Sequence, residues 1–316
     1  MTRMAARNDD SLATLLLTHH LLEREVQPLG PKGFWSLIET AGTPSSLLGR
    51  SQQELAAELG DEELATRVTA LLDGSTQLAF ALERFESQGF GAYTPFDDGY
   101  PSRLRERLGE QAPPALFTAG PVELLSREAI GIVGSRDVSE AGKEVAAEAS
   151  RAAARAGLAV ISGGARGVDR TSMAGAYQAG GSVIGYLAES LEKRVKAPET
   201  RKVIGEGMVC LATPFKPSAG FSVSHAMARN KLIYATARAT LVVATDEGRG
   251  GSWEGAVEAL RRSYGSVGVW SGDGGGPGND ALVARGAAPI RDVTELLEVS
   301  STEGPPAAPE QLPMNF

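Results

Sequence analysis

The sequence predicts an α/β fold: a Rossmann-like domain with a mostly parallel sheet, preceded by a small all-α domain. Three observations carry that expectation. Short apolar runs alternate with helical patterns from Ala129 onward. Three of those runs end in turns rich in glycine or small residues. The first 87 residues, by contrast, show helical spacing with Gly and Pro breaks and no strand-like run.

Residues 1–8 read as a loose terminus. From Ser11 to about Ser87 the pattern is helical, with Leu12, Leu15, Leu16 and His19 on one stripe and Phe34, Leu37 and Ile38 on another. Thr43-Pro44-Ser45 is expected to start a further helix. This assigns 1–87 to a small helical unit of the SAM or helix-hairpin-helix kind. Phe90, Ala92 and Tyr93 read as a short strand, Asp97 to Pro101 as a turn, and Pro113 to Phe117 as an extended piece ending at Gly120. The second domain is assigned to 88–299. Its strands are expected at Ile130–Val133, Leu158–Ile161, Ser182–Tyr186, Met208–Leu211, Leu241–Ala244 and Val267–Trp270. These are mostly short apolar runs, as suits strands buried on both faces. Val145, Ala149, Ala152 and Ala156 form one helical stripe, stopped by Gly157. The stretch 300–316, rich in Pro, Ala and Glu, is expected to be a disordered tail.

Composition narrows the function classes. The chain of 316 residues has one cysteine, Cys210, in an apolar run, so an internal disulfide is impossible and a cysteine-based metal cluster is not expected. No cofactor and no metal are expected. With no secretory signal at the start and no apolar run of membrane-spanning length, the expected location is the reducing cytoplasm, with no membrane partner. The net charge of −8 argues against a surface coated with nucleic-acid contacts. It does not argue against a local basic pocket, because the placement of charge decides.

The strand-ending turns carry the chemistry. Gly134-Ser135-Arg136 follows the first strand of the series. Ser162-Gly163-Gly164-Ala165-Arg166-Gly167-Val168-Asp169 follows the second, and Gly248-Arg249-Gly250-Gly251-Ser252 follows the strand at Leu241–Ala244. In an open α/β sheet such turns lie at the carboxyl ends of the strands, where ligands bind. Their backbone N–H groups at helix N-termini favour phosphate. Each turn also brings an arginine (Arg136, Arg166, Arg249), and guanidinium forks onto phosphate oxygens. A single glycine turn is most often a tight connection and nothing more. Three of them with an arginine each, at one sheet edge, point to a polyanion site. Neither a Walker A loop nor a Gly-x-Gly-x-x-Gly fingerprint is present. Arg229, Asn230 and Lys231, near the expected start of a helix, add two cations; alone they would read as a solvated face. His225 has no second histidine, nucleophilic serine or acid pair spaced to make it a catalyst, so no catalytic residue is assigned.

Taken in order, Gly131 to Arg136, Ile161 to Asp169 and Ala228 to Ile233 resemble the DprA/Smf DNA-processing family. Ala165-Arg166-Gly167-Val168-Asp169 is the most specific piece, and the likeness covers about 85–298. Tyr100-Pro101 and the segment Pro113 to Gly120 resemble the family's approach to its core domain. The resemblance implies a non-catalytic binder of single-stranded DNA, acting in DNA uptake and transformation. Its members load a RecA-type recombinase, and many are homodimers. Carried over by position, Arg136, Arg166, Arg229 and Lys231 would contact phosphates, and Gly163, Gly164 and Gly167 would let the strand approach the backbone. Phe215, Phe221 and Trp253 are candidate stacking platforms. The chain departs from the family where Phe-Pro is replaced by His225-Ala226-Met227-Ala228, where Lys231 stands for an arginine, and at Gly250 to Ala256. The family's winged-helix segment is not expected after Val299. Two other readings stay open. Gly250-Gly251-Ser252-Trp253-Glu254 partly resembles the loop of LOG-type phosphoribohydrolases, in which a glutamate assists cleavage of nucleoside monophosphates. An accessory protein of a defence operon that senses DNA or nucleotides is the other.

Overall fold

The computed structural model describes residues 7–19 and 26–299, so the expected tail at 300–316 lies outside the described residues. Five helices come first: α1 (Asp9–Thr18), α2 (Pro31–Ala41), α3 (Gln52–Leu59), α4 (Glu62–Leu72) and α5 (Ser75–Ser87). Local chemistry sets their starts. Asn8 accepts from the Ser11 N–H, Asp61 accepts from Leu64 N–H, and Ser51 with Glu54 makes a reciprocal capping box. The helix expected at Thr43-Pro44-Ser45 is a single 3-10 turn over Pro44–Leu47. Its side chains hydrogen-bond back to the local backbone, as Ser46 Oγ does to Ala41 and Thr43 carbonyls, which competes with helix propagation.

Strands β1 (Phe90–Tyr93) and β2 (Leu116–Ala119) flank helix α6 (Ser102–Leu108), and β1 pairs antiparallel with β2. The βα series then runs β3 (Ala129–Val133), α7 (Glu140–Arg155), β4 (Ala159–Ser162), α8 (Val168–Gln178), β5 (Val183–Tyr186), α9 (Leu191–Lys196), α10 (Pro198–Gly205), β6 (Val209–Thr213), α11 (Val223–Thr236), β7 (Ala239–Val242), α12 (Gly251–Arg262), β8 (Ser266–Trp270), α13 (Asn279–Val283), β9 (Ala288–Ile290) and α14 (Val293–Val299). All nine strands form one sheet in the order β1-β2-β6-β5-β4-β3-β7-β8-β9. From β6 to β9 every neighbouring pair is parallel, and β2 joins β6 antiparallel. This is the Rossmann-like α/β architecture expected from the sequence. The expected extended piece before Gly120 is β2, a full member of the sheet. The strand expected at Leu241–Ala244 begins two residues earlier.

Two apolar clusters hold the layers together. One gathers Tyr186, Leu232, Tyr234, Ala256 and Ala259 on the α11–α12 face. The other gathers Ala146, Ala149, Ala153, Val168 and Ala176 on the α7–α8 face. The small residues let α7 and α8 lie close on the sheet. The N-terminal helices share both clusters: Leu17, Phe34 and Leu55 belong to the first, Leu15, Leu16, Leu78 and Leu82 to the second. Cys210 is fully buried on β6, as a small apolar residue would be. Among the described residues, no helix is long and apolar enough to cross a membrane.

Strand order reverses at β3. The chain winds outward from β3 through β4, β5 and β6, then returns through α11 to place β7 on the other side of β3. The carboxyl ends of β3 and β7 are therefore the topological switch point, where a crevice is expected in an open α/β sheet.

Candidate nucleic-acid interface

The three glycine turns meet at that edge. Ser135 N–H donates to the Ala244 carbonyl at 2.8 Å and Val243 N–H to Val133 at 3.0 Å, which ties the turn after β3 to the turn after β7. The turn after β4 packs onto the turn after β3. A Cβ at Gly167 would collide with the carbonyl oxygens of Ser135 and Arg136, and Val168 N–H donates to the Ser135 carbonyl.

Two adjoining cavities open there. The first, of 390 Å³, sits at the switch point between Gly134, Ser135, the α11 residues Met227, Asn230 and Tyr234, and the start of α12 at Gly250-Gly251-Ser252. The second, of 270 Å³, lies over the turn after β4. Five arginines line it (Arg136, Arg166, Arg170, Arg194 and Arg229) against one acid, Glu189. Arg136, Phe221, Ala165 and Arg229 line both.

The arginines differ in their freedom. Arg136 is exposed, has its guanidinium carbon 5.5 Å from the Phe221 ring centroid, and among the described residues is in no ion pair. Arg166 pairs with Asp137 at 2.7 Å, and Arg249 with Asp246 at 3.3 Å. Both pairs are solvent-exposed, and such pairs contribute at most about 1 kcal/mol, so an arriving phosphate can exchange for the carboxylate. Arg194 pairs with Glu189, and its Nη2, like Arg170 Nε, donates to the Gly164 carbonyl at 3.4 Å. Arg170 and Arg194 are site residues that the sequence reading did not single out. Neither stands in a glycine turn, and only the fold of α8 and α9 brings them to Gly164.

Several expected contacts are placed otherwise. Arg229 is only 4% exposed. Ser222 caps α11 by accepting from His225 N–H, so the helix begins at Val223 and Arg229 falls in its second turn, against the sheet. Its Nη1 donates to the Tyr186 carbonyl at 3.1 Å and lies 3.9 Å from Asp169. Burial pushes the Arg229 guanidinium below its ordinary pKa and the Asp169 carboxyl above its own, with mutual attraction offsetting part of each shift. Arg229 thus contributes a buried charge behind the cavities rather than a surface fork. Lys231, two residues on, points to the opposite side of the helix. It binds Gln111 at 2.6 Å and Glu258 at 3.1 Å and lines neither cavity, so the structure does not bring it together with the other expected phosphate contacts.

At Gly163 and Gly167 the protein's own groups already make a close approach. The close approach at Gly163 is made by Arg229, whose guanidinium occupies the place a Cβ would take, and that at Gly167 by the preceding turn. Gly164 lines the second cavity. Ser162 is buried and donates Oγ to the Ile132 carbonyl at 2.6 Å, and Asp169 faces Arg229. Asn230 donates Nδ2 to the Gly251 carbonyl at 3.0 Å and so joins α11 to the start of α12.

Of the three aromatic candidates, Phe221 is 53% exposed at the boundary of the two cavities. Phe215 stacks on His225 at 4.0 Å, and Trp253 is buried beneath Arg285. Glu254, the acid a phosphoribohydrolase would need, is exposed and lines neither cavity.

A fourth glycine-rich loop, Gly272 to Gly278, supports the edge without lining it. Asn279, at its end, is 3% exposed. It donates Nδ2 to Val243 and Trp270 carbonyls, both at 2.8 Å, and accepts from Thr245 N–H at 3.0 Å. The loop and Asn279 fix the turn after β7 from behind.

A family model described as DNA recombination-mediator protein A matches residues 91–301. The chain is 29% identical over 196 residues to DNA processing protein DprA of Streptococcus pneumoniae, 58% of this chain and 67% of that protein. It is 28% identical over 190 residues to DNA processing protein DprA of Bacillus subtilis, 59% of this chain and 62% of that one. Relatives from Mycobacterium tuberculosis and Synechocystis are spanned over 45% and 42% of their length, about half. Among solved structures, DNA processing protein A from S. pneumoniae superposes with a TM-score of 0.62 at 22% identity, over 85% of this chain and 98% of that one. The Helicobacter pylori protein, described for its single-stranded DNA binding mode, gives 0.55 at 20% identity, over 66% and 94%.

Proposed function

The chain belongs to the DNA recombination-mediator protein A family, and from that premise we propose that it binds single-stranded DNA across the arginine-lined edge of its sheet. The observation that carries the reading is the second cavity. Arg136, Arg166, Arg170 and Arg194 surround the Gly164 turn, and the exposed Phe221 ring stands at its boundary. Phosphates would lie on the guanidinium groups, and a base would stack on Phe221. Phosphate contacts carry no base code, so little sequence preference is expected. Gly134, Ser135, Gly250, Gly251 and Ser252 would offer backbone or hydroxyl donors beside that path.

The role is binding rather than catalysis, in the processing of incoming DNA and the loading of a RecA-type recombinase. A homodimer and a cytoplasmic location belong to the same proposal, and so does a division at about residue 88 between a helical unit and the sheet. Fluorescence anisotropy of a labelled oligo-dT tests the core of it. The parent should bind the single strand, and Arg194→Ala with Arg166→Ala should weaken binding at least tenfold at fixed salt. Unchanged affinity in that double variant would remove the groove from consideration.

A further inference from the structure

The strand path described above lies along the second cavity and leaves the buried donors of the first unused. Two donors in residues lining the first cavity are unpaired. Tyr234 Oη and Arg229 Nε are buried, and among the described residues neither has a hydrogen-bond partner. Their residues are 2% and 4% exposed. A buried donor left unpaired costs about 1–3 kcal/mol, so two beside one cavity call for an explanation.

The mouth of the same cavity holds the N-terminus of α12, a helix of 12 residues that starts at Gly251 with no side chain capping it. Its first-turn N–H groups and the Ser252 hydroxyl lie at the cavity wall. Among the described residues, Arg136 is the cation there that is in no ion pair. Arg249 is matched by Asp246, Arg229 by Asp169, and Asp137 by Arg166. One cation outside any ion pair, a helix N-terminus and a hydroxyl, with three arginines against three aspartates in the lining, suit a single compact phosphate better than a run of them. Buried Tyr234 and Arg229 add their unpaired donors to the same lining. Val133, Met227 and Phe221 form an apolar wall, and 390 Å³ lies in the range that holds a nucleotide-sized ligand.

We propose that the switch-point cavity is a site for the terminal phosphate of a nucleotide, seated on the α12 N-terminus and Arg136 with its nucleoside against Phe221 and Met227. The phosphomonoester could come from the end of a DNA strand or from a free nucleoside monophosphate, which share the same chemistry. This inference rests on the strand-binding reading for Arg136 and Phe221, which line both cavities, and adds end recognition through Tyr234, Met227 and the α12 N-terminus, which line the first cavity alone.

The test uses the full chain. Anisotropy compares oligo-dT of one length with a 5′-phosphate, a 3′-phosphate or hydroxyl ends, and calorimetry titrates dTMP, thymidine and inorganic phosphate. The expected result is at least a fivefold preference for one phosphorylated end, or dTMP binding that thymidine does not reproduce. Tyr234→Phe keeps the ring and removes only the unpaired hydroxyl, so the fold is retained. It should cut the preference, or the dTMP affinity, at least threefold. Arg194→Ala should weaken all oligonucleotides alike and leave dTMP binding unchanged. Equal affinity for all ends together with no dTMP binding overturns the proposal. So does a preference that survives both Tyr234→Phe and Arg136→Ala, since the phosphate then sits elsewhere. Binding of dTMP with no oligonucleotide binding would sink the strand reading and leave this one standing.

Discussion

Arg136 and Arg229 are the same residue type at the same sheet edge, and the fold uses them in opposite ways. Arg136 stands free beside Phe221, whereas Arg229 fills the space above Gly163 and faces Asp169. Nothing local in the sequence separates the two uses. Helix α11 is apolar on several sides, so periodicity could not say that Arg229 turns inward while Lys231 turns to Glu258. Two stability predictions belong here. Gly163→Ala forces a methyl into the Arg229 guanidinium and should lower Tm by several degrees in a thermal melt, while Gly180→Ala-type changes at open turns act only through their own backbone strain. Asp169→Ala leaves Arg229 buried without its counter-charge and should cost about 3–5 kcal/mol in a denaturant titration. The pH dependence has a definite sign. Burial raises the Asp169 carboxyl above its ordinary value, so the folded chain holds that proton at a pH where the unfolded chain has lost it. The contribution is complete below the unfolded pKa and is lost as pH rises through the folded one. The Tm difference, parent minus Asp169→Asn, should therefore fall as pH rises through the range above the ordinary carboxylate pKa of about 4. A difference that grows over that range contradicts burial as the dominant cause.

At the scale of elements, the turns were legible and their supports were not. A short apolar run followed by glycine and arginine is a local signal, and Gly134-Ser135-Arg136, Ser162 to Asp169 and Gly248 to Ser252 all lie at the carboxyl edge. What brings them together is non-local. The pairing of β3 with β7, across more than a hundred residues, depends on a crossover through α11 that periodicity does not encode. The antiparallel extension through β2 and β1 has the same origin. The loop Gly272 to Gly278 carried no phosphate-like signature and so attracted no role, yet Asn279 makes three hydrogen bonds to the segments it joins. Asn279→Ala would strand the Thr245 N–H and two carbonyls, and should cost about 3 kcal/mol. Because these bonds fix the turn after β7, the same substitution should weaken the terminal-phosphate site more than the Arg194 groove. Equal loss at both would mean that the whole edge relaxes as one unit.

For the whole molecule, a net charge of −8 and a cation-lined groove have to coexist. The long-range field of the chain repels a polyanion, so binding must come from contacts inside about one Debye length, roughly 8–10 Å near physiological salt. Four arginines that line the groove with surface access, Arg136, Arg166, Arg170 and Arg194, set the number of phosphates it can neutralise. For single strands the logarithm of affinity falls with the logarithm of salt by about 0.7 per neutralised phosphate. The expected slope is therefore roughly −3, and Arg194→Ala should make it shallower by about 0.7. Arg166 and Arg194 start from carboxylate pairs with Asp137 and Glu189, so part of their gain is exchange of one anion for another, which lowers the slope and does not raise it. A measured slope steeper than about −6 would require cations well beyond this edge. Affinity that does not respond to salt would mean that stacking on Phe221, and not the guanidinium row, holds the strand.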